Sequence, residues 1–152
     1  MDDDQLQIFM IDADLSGQFL QDMMINQMSS LQSRRLDYSR GSLVFAAQAL
    51  LEVLKGNVLH DPQVVTMRTA QYLGETILNA VEGQWSIHEM AIDLQIVGRQ
   101  SRAHWIDVYA PCVELVRLAL RRQTSTVEPT SLLLDVFDQA VANGVERSRD
   151  GK

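Results

Sequence analysis

The sequence predicts an α+β fold, with about five helices packed around a small three-stranded antiparallel β-meander. Three observations carry that expectation. Apolar residues recur at helical spacing from Ile8 to Val81, alternate from Trp85 to Val108, and return to helical spacing beyond Pro111. The first helix is expected from Ile8 to Leu31. Ile11, Leu15, Phe19 and Met23 form one i,i+4 row on its dry side, and Leu20, Met24, Met28 and Leu31 a neighbouring one. Asp12, Asp14, Gln18, Gln21 and Asp22 then occupy its wet side. Gly17 costs up to about 1 kcal/mol inside such a helix, so it marks either a break or a close contact.

Ser39 is placed to cap a second helix with a buried stripe of Leu43, Ala46, Ala47, Leu50, Leu51 and Leu54, ended by Gly56. The third helix has Asp61 at the cap, Pro62 at the first helical position and Gly83 just beyond its end. Its inner face is expected to be Met67, Ala70, Leu73, Ile77 and Val81. QWSIHEM, IDLQIVG and HWIDVYA then alternate and carry β-branched and aromatic residues, as strands of a meander do. Pro111 stops the meander and opens a fourth helix with Val113, Val116 and Leu120 on one side. Pro129 and Thr130 precede a fifth, in which Leu133, Phe137, Ala140 and Val141 share a face. Residues 1–152 read as one domain, with 1–5 and 147–152 as fraying ends.

The 152 residues are enough for a sizeable core, and 46% hydrophobic with 22% charged residues is ordinary globular composition. Thirteen basic and 20 acidic residues leave a net charge of −7, which argues against nucleic acid as a partner and suits either solubility or a basic protein partner. Cys112 is the only cysteine, so neither an internal disulfide nor a four-thiolate zinc site can form. The opening MDDDQLQ is acidic where a signal peptide would be basic, and no apolar run is long enough to cross a bilayer. A cytosolic, membrane-free protein is expected.

The stretch DADLSGQFLQDM, residues 12–23, makes the most direct offer of chemistry. Asp12, Asp14, Ser16 and Gly17 match the opening positions of an EF-hand calcium loop. Position twelve of that loop is Met23, whose thioether does not suit a hard cation. IFMIDADLSG also resembles the strand-then-D-x-D start of the haloacid dehalogenase superfamily, which implies a carboxylate nucleophile. The rest of the chain lacks the alternating strands and helices that such a site needs, and its only lysines are Lys55 and Lys152. The remaining reading is the wet side of a helix.

Other chemistry is thinly supported. None of His60, His88 and His104 has a second ligand at helical spacing, although His88 and His104 could meet across the meander beside Glu89 or Asp107. A small hydrolase or metal-dependent enzyme would be built on Glu75, His88, His104 and Asp107. Cys112 is expected on an apolar helix side as a small hydrophobe. No G-x-S-x-G elbow or Gly-rich phosphate cradle occurs, so no catalytic residue, metal or cofactor is assigned. Arg34–Arg35 and Arg121–Arg122 fall near helix C-termini, where cations are favoured. MMINQM crowds three methionines that cannot all face inward, a hint of an interaction surface.

LDYSRGSL at 36–43, YLGETILNAVEGQW at 72–85 and VGRQSRAHWIDVYAP at 97–111 follow one order. Together they resemble a loose group of small bacterial proteins of unknown function with L-D-Y-S-x-x-S-L, L-G-E and G-x-W segments. The resemblance spans roughly residues 36–118 and implies architecture more than activity; some members look like accessory or toxin-neutralising proteins. From the residues themselves, Ser39 can accept from free helix amides, Tyr38 packs at the helix mouth, and Gly74 admits another backbone. Glu75 can accept from the Trp85 indole or from an edge-strand amide. The function expected is non-enzymatic protein–protein binding, immunity-like or accessory, through Asp12, Asp14, Asp22, Met24 and Met28, with self-association as an alternative.

Overall fold

The computed structural model describes residues 2–25, 36–54, 61–100, 102–121 and 131–147, without the side chains of residues 23–25 and 52–53. The α+β arrangement expected from the sequence is observed. Its elements are α1 (Asp3–Asp14), α2 (Ser16–Ile25), α3 (Arg40–Leu54), α4 (Pro62–Ala80), β1 (Gly83–His88), β2 (Ala91–Val97), β3 (Ala103–Ile106), α5 (Tyr109–Arg121) and α6 (Ser131–Asn143). The strands form one antiparallel meander in the order β1-β2-β3, with Trp85 opposite Leu94 and Leu94 opposite Ile106. That register puts Trp85, Leu94, Ile96 and Ile106 on the buried face.

Helix α4 organises the packing. It lies against α1, α2, α5 and α6, while α3 packs on α5 and α6. Asp61 accepts from the Gln63 amide at its start and Pro62 sits in its first turn, as the sequence indicates. Thr69 and Thr76 are buried, and each hydroxyl donates back to the carbonyl four residues earlier. One apolar core draws residues from every element, among them Ala13, Leu20, Leu43, Leu73, Trp85, Leu94, Ile106, Leu115 and Leu133.

The expected single first helix is instead two. α1 starts at Asp3, where Asp2 and Gln5 exchange side-chain and backbone hydrogen bonds in a capping box. It ends at Leu15, and α2 begins at Ser16. The buried side of this pair is Leu6, Phe9, Ala13, Ser16, Gly17 and Leu20, not the expected Ile11–Leu15–Phe19 row. Ile11 and Leu15 are 61% and 59% exposed and Phe19 is 38% exposed. Small residues win the inner position because α1 and α2 approach α4 closely: a Cβ on Gly17 would lie 3.1 Å from the Tyr72 ring.

Smaller corrections follow the same packing. Met67 and Val113 face outward, because the inward positions of α4 and α5 are taken by Val65, Ala70, Cys112 and Val116. Val141 is likewise exposed beside buried Phe137 and Ala140. α5 opens at Tyr109, ahead of Pro111, because the Asp107 carboxylate accepts from the Tyr109 and Ala110 amides. α4 ends at Ala80, and Gly83 beyond that end is also the first residue of β1. Gly56, Pro129, Thr130 and His60 lie outside the described residues. No described helix is long and apolar enough to cross a membrane.

Tyr38 ties the break between α1 and α2 to the body of the molecule. Its hydroxyl donates to the Asp14 carbonyl at 2.9 Å and accepts from the Gly17 amide at 3.1 Å. Its own amide donates to the Tyr72 hydroxyl at 2.9 Å, with the two rings 4.8 Å apart. Tyr38 has φ 61°, a left-handed conformation that costs a non-glycine residue about 1–2 kcal/mol and that these bonds must offset. Tyr38→Phe removes both hydroxyl bonds and leaves two backbone groups to find other partners. It is expected to lower unfolding free energy by about 1–3 kcal/mol, read by urea denaturation; an unchanged midpoint would show the junction to be held elsewhere.

The β1–β2 hairpin turns through Glu89 and Met90, at φ 50° and 67°. A two-residue turn with both central residues left-handed favours Asn-Gly, and neither present residue is suited to it. Replacing the pair by Asn-Gly is expected to stabilise the fold by about 1–2 kcal/mol in the same assay. A lower midpoint would mean that Glu89 or Met90 makes a stabilising contact that outweighs its backbone strain.

Candidate functional site

Turning the apolar row outward gives α1 and α2 an unusual surface. Ile8, Ile11 and Leu15 are 61%, 61% and 59% exposed, and they follow one another at spacings of three and four residues along a single ridge. Phe19 continues the ridge on α2. Residues 2–25 contain six aspartates and no lysine or arginine. A solvent-facing apolar stripe is therefore built into one pair of helices whose own charged side chains are all negative.

Two open grooves flank α1. The larger, of about 610 Å³, is lined by Met10 and Ile11 from α1, by Asp14 and Asp37, and by Glu75 and Trp85. Arg147 also reaches it. Glu75 sits on α4 and accepts from the Trp85 indole N–H at 3.3 Å, one of the two partners the sequence allows. Gly74 makes room for that indole, since a Cβ there would lie 2.2 Å from the ring. The close approach is by a side chain and not, as expected, by another backbone. Burial pushes the Glu75 carboxyl above its ordinary range, opposed by the indole hydrogen bond and reinforced by the negative charge of Asp14. The Ser39 hydroxyl, by contrast, holds Asp37 below the usual carboxylate range.

The smaller groove, of about 400 Å³, is bounded by Ile8, Phe9, Val64, Met67 and Ile92, with Asp12 and Arg68 at its edge. Arg68 is already engaged. It lies 3.3 Å from the Asp12 carboxylate, donates to Gln71, and stands over the Phe19 ring at 5.4 Å.

The sequence-derived binding set is thus divided. Asp14 and Asp22 are exposed, and Asp22 accepts from Gln18 on its own helix. Asp12 pairs with Arg68. The side chain of Met24 and the whole of Met28 lie outside the described residues. The apolar ridge itself was not among the expected site residues, although its Ile8–Ile11–Leu15 spacing is visible in the sequence.

The enzyme candidates do not share a site. Glu75 lines the larger groove. His88, on the opposite face of the sheet from Trp85, stacks on Trp105 at 4.0 Å and lies 3.4 Å from Asp93. His104 opposes Ile96 on the Trp85 side and lines a separate hollow with Arg99, Arg102 and Asn143. Asp107 is occupied in capping α5. Strand alternation separates the two histidines, so the meander cannot bring them together. Cys112 is fully buried, and burial drives its thiol far above the ordinary range, away from nucleophilic form. Among the described residues, no three His, Cys, Asp or Glu side chains are grouped to hold a metal ion. In DADLSGQFLQDM, Asp12 is helical and paired, and the buried Ser16 hydroxyl donates to the Ala13 carbonyl. These are the contacts of a helix junction, not of a cation loop.

Comparison with protein families, with curated proteins and with solved structures finds no match to this chain. The functional reading rests on the geometry.

Glu75 gives that geometry a pH signature. Because its folded-state value is raised, the folded chain holds the proton more tightly than the unfolded chain. Stability is therefore expected to fall as pH rises from the ordinary glutamate value through the raised one. Glu75→Gln keeps an acceptor for the indole and removes the charge. Its denaturation midpoint is expected to exceed that of the parent at pH 7, with the gap closing as pH drops below the ordinary glutamate value. A gap that widens on acidification would reverse the assignment.

Proposed function

We propose that this is a non-enzymatic cytosolic protein that acts by binding another protein through the exposed face of α1 and α2. The observation that carries the reading is the ridge of Ile8, Ile11 and Leu15, left in solvent while 29 other hydrophobic side chains among the described residues are buried. Contiguous exposed apolar side chains rimmed by charge are the usual mark of an interaction surface. Their position along α1 and at its junction with α2, beside grooves on both sides, gives a partner shape to fit as well as area to bury. Neutralising a basic toxin, or serving as an accessory factor, is the form of this activity that the resemblance of the 36–118 segments suggests.

The test uses exposed positions, so that binding can be separated from folding. Ile11→Gln with Leu15→Gln is expected to leave stability within about 0.5 kcal/mol of the parent in urea denaturation. The same pair is expected to abolish stoichiometric capture of a specific protein from lysate of the source cells, scored by quantitative mass spectrometry against the parent. If parent and variant capture the same proteins in the same amounts, the ridge is not the contact surface and the reading falls.

A further inference from the structure

Resting on that reading, we propose that the ridge and the larger groove beside it receive one kind of element: a basic amphipathic helix of a partner protein. Its apolar side chains would pack on Ile8, Ile11 and Leu15, and its lysine or arginine side chains would enter the groove against Asp14, Asp37 and Glu75.

Two features select this occupant. The first is shape. The ridge presents apolar side chains at spacings of three and four along more than one helical turn, the pattern that a partner helix reads with its own i, i+3, i+4, i+7 face. The groove borders the same helix, because Met10, Ile11 and Asp14 wall it and Ile11 also belongs to the ridge. A helix lying on the ridge therefore overhangs the groove. The second is charge. Among the described residues the groove gathers three carboxylates against one arginine, Arg147, and residues 2–25 add no positive charge. Among the described residues the cation beside the ridge is Arg68, and it is taken up by Asp12 and Phe19. An acidic helix would set carboxylate against carboxylate on this surface, and so would a second copy docked through the same ridge. A basic helix relieves the crowding of Asp14 and Glu75 while covering the apolar row.

The probe is a synthetic leucine–lysine peptide of about 18 residues, long enough to hold a helix, with leucines on one face. Its controls are an isomer with the same residues scrambled off one face and a leucine–glutamate helix of the same pattern. By titration calorimetry with the full chain, the leucine–lysine helix is expected to bind one per chain in roughly the micromolar range and to weaken as salt rises. Ile11→Gln with Leu15→Gln, and separately Asp14→Asn with Glu75→Gln, are each expected to weaken it about tenfold or more. Equal binding of the scrambled isomer, binding of the leucine–glutamate helix, absence of binding, or indifference to either variant pair would overturn the proposal. So would light scattering that shows a dimer dissociated by the ridge variants, which would make a second copy the occupant. A protein captured from lysate through Ile11 and Leu15 but lacking a basic amphipathic helix would sink this inference and leave the binding function standing.

Discussion

The buried hydroxyl of Tyr72 joins the three parts of the molecule on which the exposed face depends. It accepts from the Tyr38 amide and lies 2.6 Å from the Ser42 hydroxyl. Ser42 gives its own proton to the Ser39 carbonyl at the start of α3, which leaves Tyr72 to donate to Ser42. Through Tyr38 the same network reaches the Asp14 carbonyl and the Gly17 amide, where α1 gives way to α2. One side chain of the central helix thus sets the entry to α3 and the break in the first helical pair. Tyr72 and Ser42 are buried, so with no solvent to replace these partners each of their hydroxyls must be matched within the protein. That requirement holds Tyr38 in a left-handed conformation and keeps Gly17 without a side chain, since a Cβ there would meet the Tyr38 hydroxyl at 2.8 Å.

Fixing the break at Leu15 decides which side of α1 and α2 faces inward. Ala13, Ser16 and Gly17 are buried on the inner side of the pair, and at Gly17 even a Cβ would crowd the Tyr72 ring and the Tyr38 hydroxyl. The larger apolar residues at Ile8, Ile11 and Leu15 are therefore displaced to solvent. Their exposure follows from the close packing beneath them. Phe9 completes the arrangement by meeting Trp85 edge-on at 4.8 Å, which attaches α1 to the sheet. The indole N–H is held in turn by Glu75.

This logic explains what could and could not be read in the sequence. Asp61-Pro62 announced the start of α4, and the alternation of Trp85, Ile92, Leu94, Ile96 and Ile106 announced the sheet, because each pattern has one favourable structural outcome. The Leu43–Leu54 stripe of α3 was legible for the same reason. The first helices were ambiguous. Ile11-Leu15-Phe19 and Phe9-Ala13-Ser16-Leu20 have equally good helical periods, and the second row is less hydrophobic because it contains small residues. A count of hydrophobicity selects the first row, whereas interhelical distance selects the second. The cap at Asp2 and Gln5 had a sequence signal, an acceptor followed three residues later by glutamine, that fixes α1 well before Ile8. The candidate groove was only partly legible. The Glu75–Trp85 contact could be anticipated from L-G-E and G-x-W, but Asp14 and Asp37 reach the same groove only through the Tyr38 junction.

The electrostatic organisation of the face then separates charges that hold the fold from charges left for a partner. Asp12 is turned toward Arg68, and Arg68 is further held over Phe19, so reversing Asp12 would disturb the molecule's own packing as well as any contact. Asp14 faces the groove, and its charge makes ionisation of Glu75 harder. A half-buried carboxylate beside another carries a standing cost that a nearby cation reduces, and among the described residues Arg147 is the cation that serves Glu75 in this way. The apolar ridge and the acidic groove each favour burial under a different kind of group. A helix with one apolar face and one basic face satisfies both at once, whereas a purely apolar ligand would cover the ridge and leave the carboxylates crowded. Specificity on such a face comes from the requirement that both conditions be met along the same helical length.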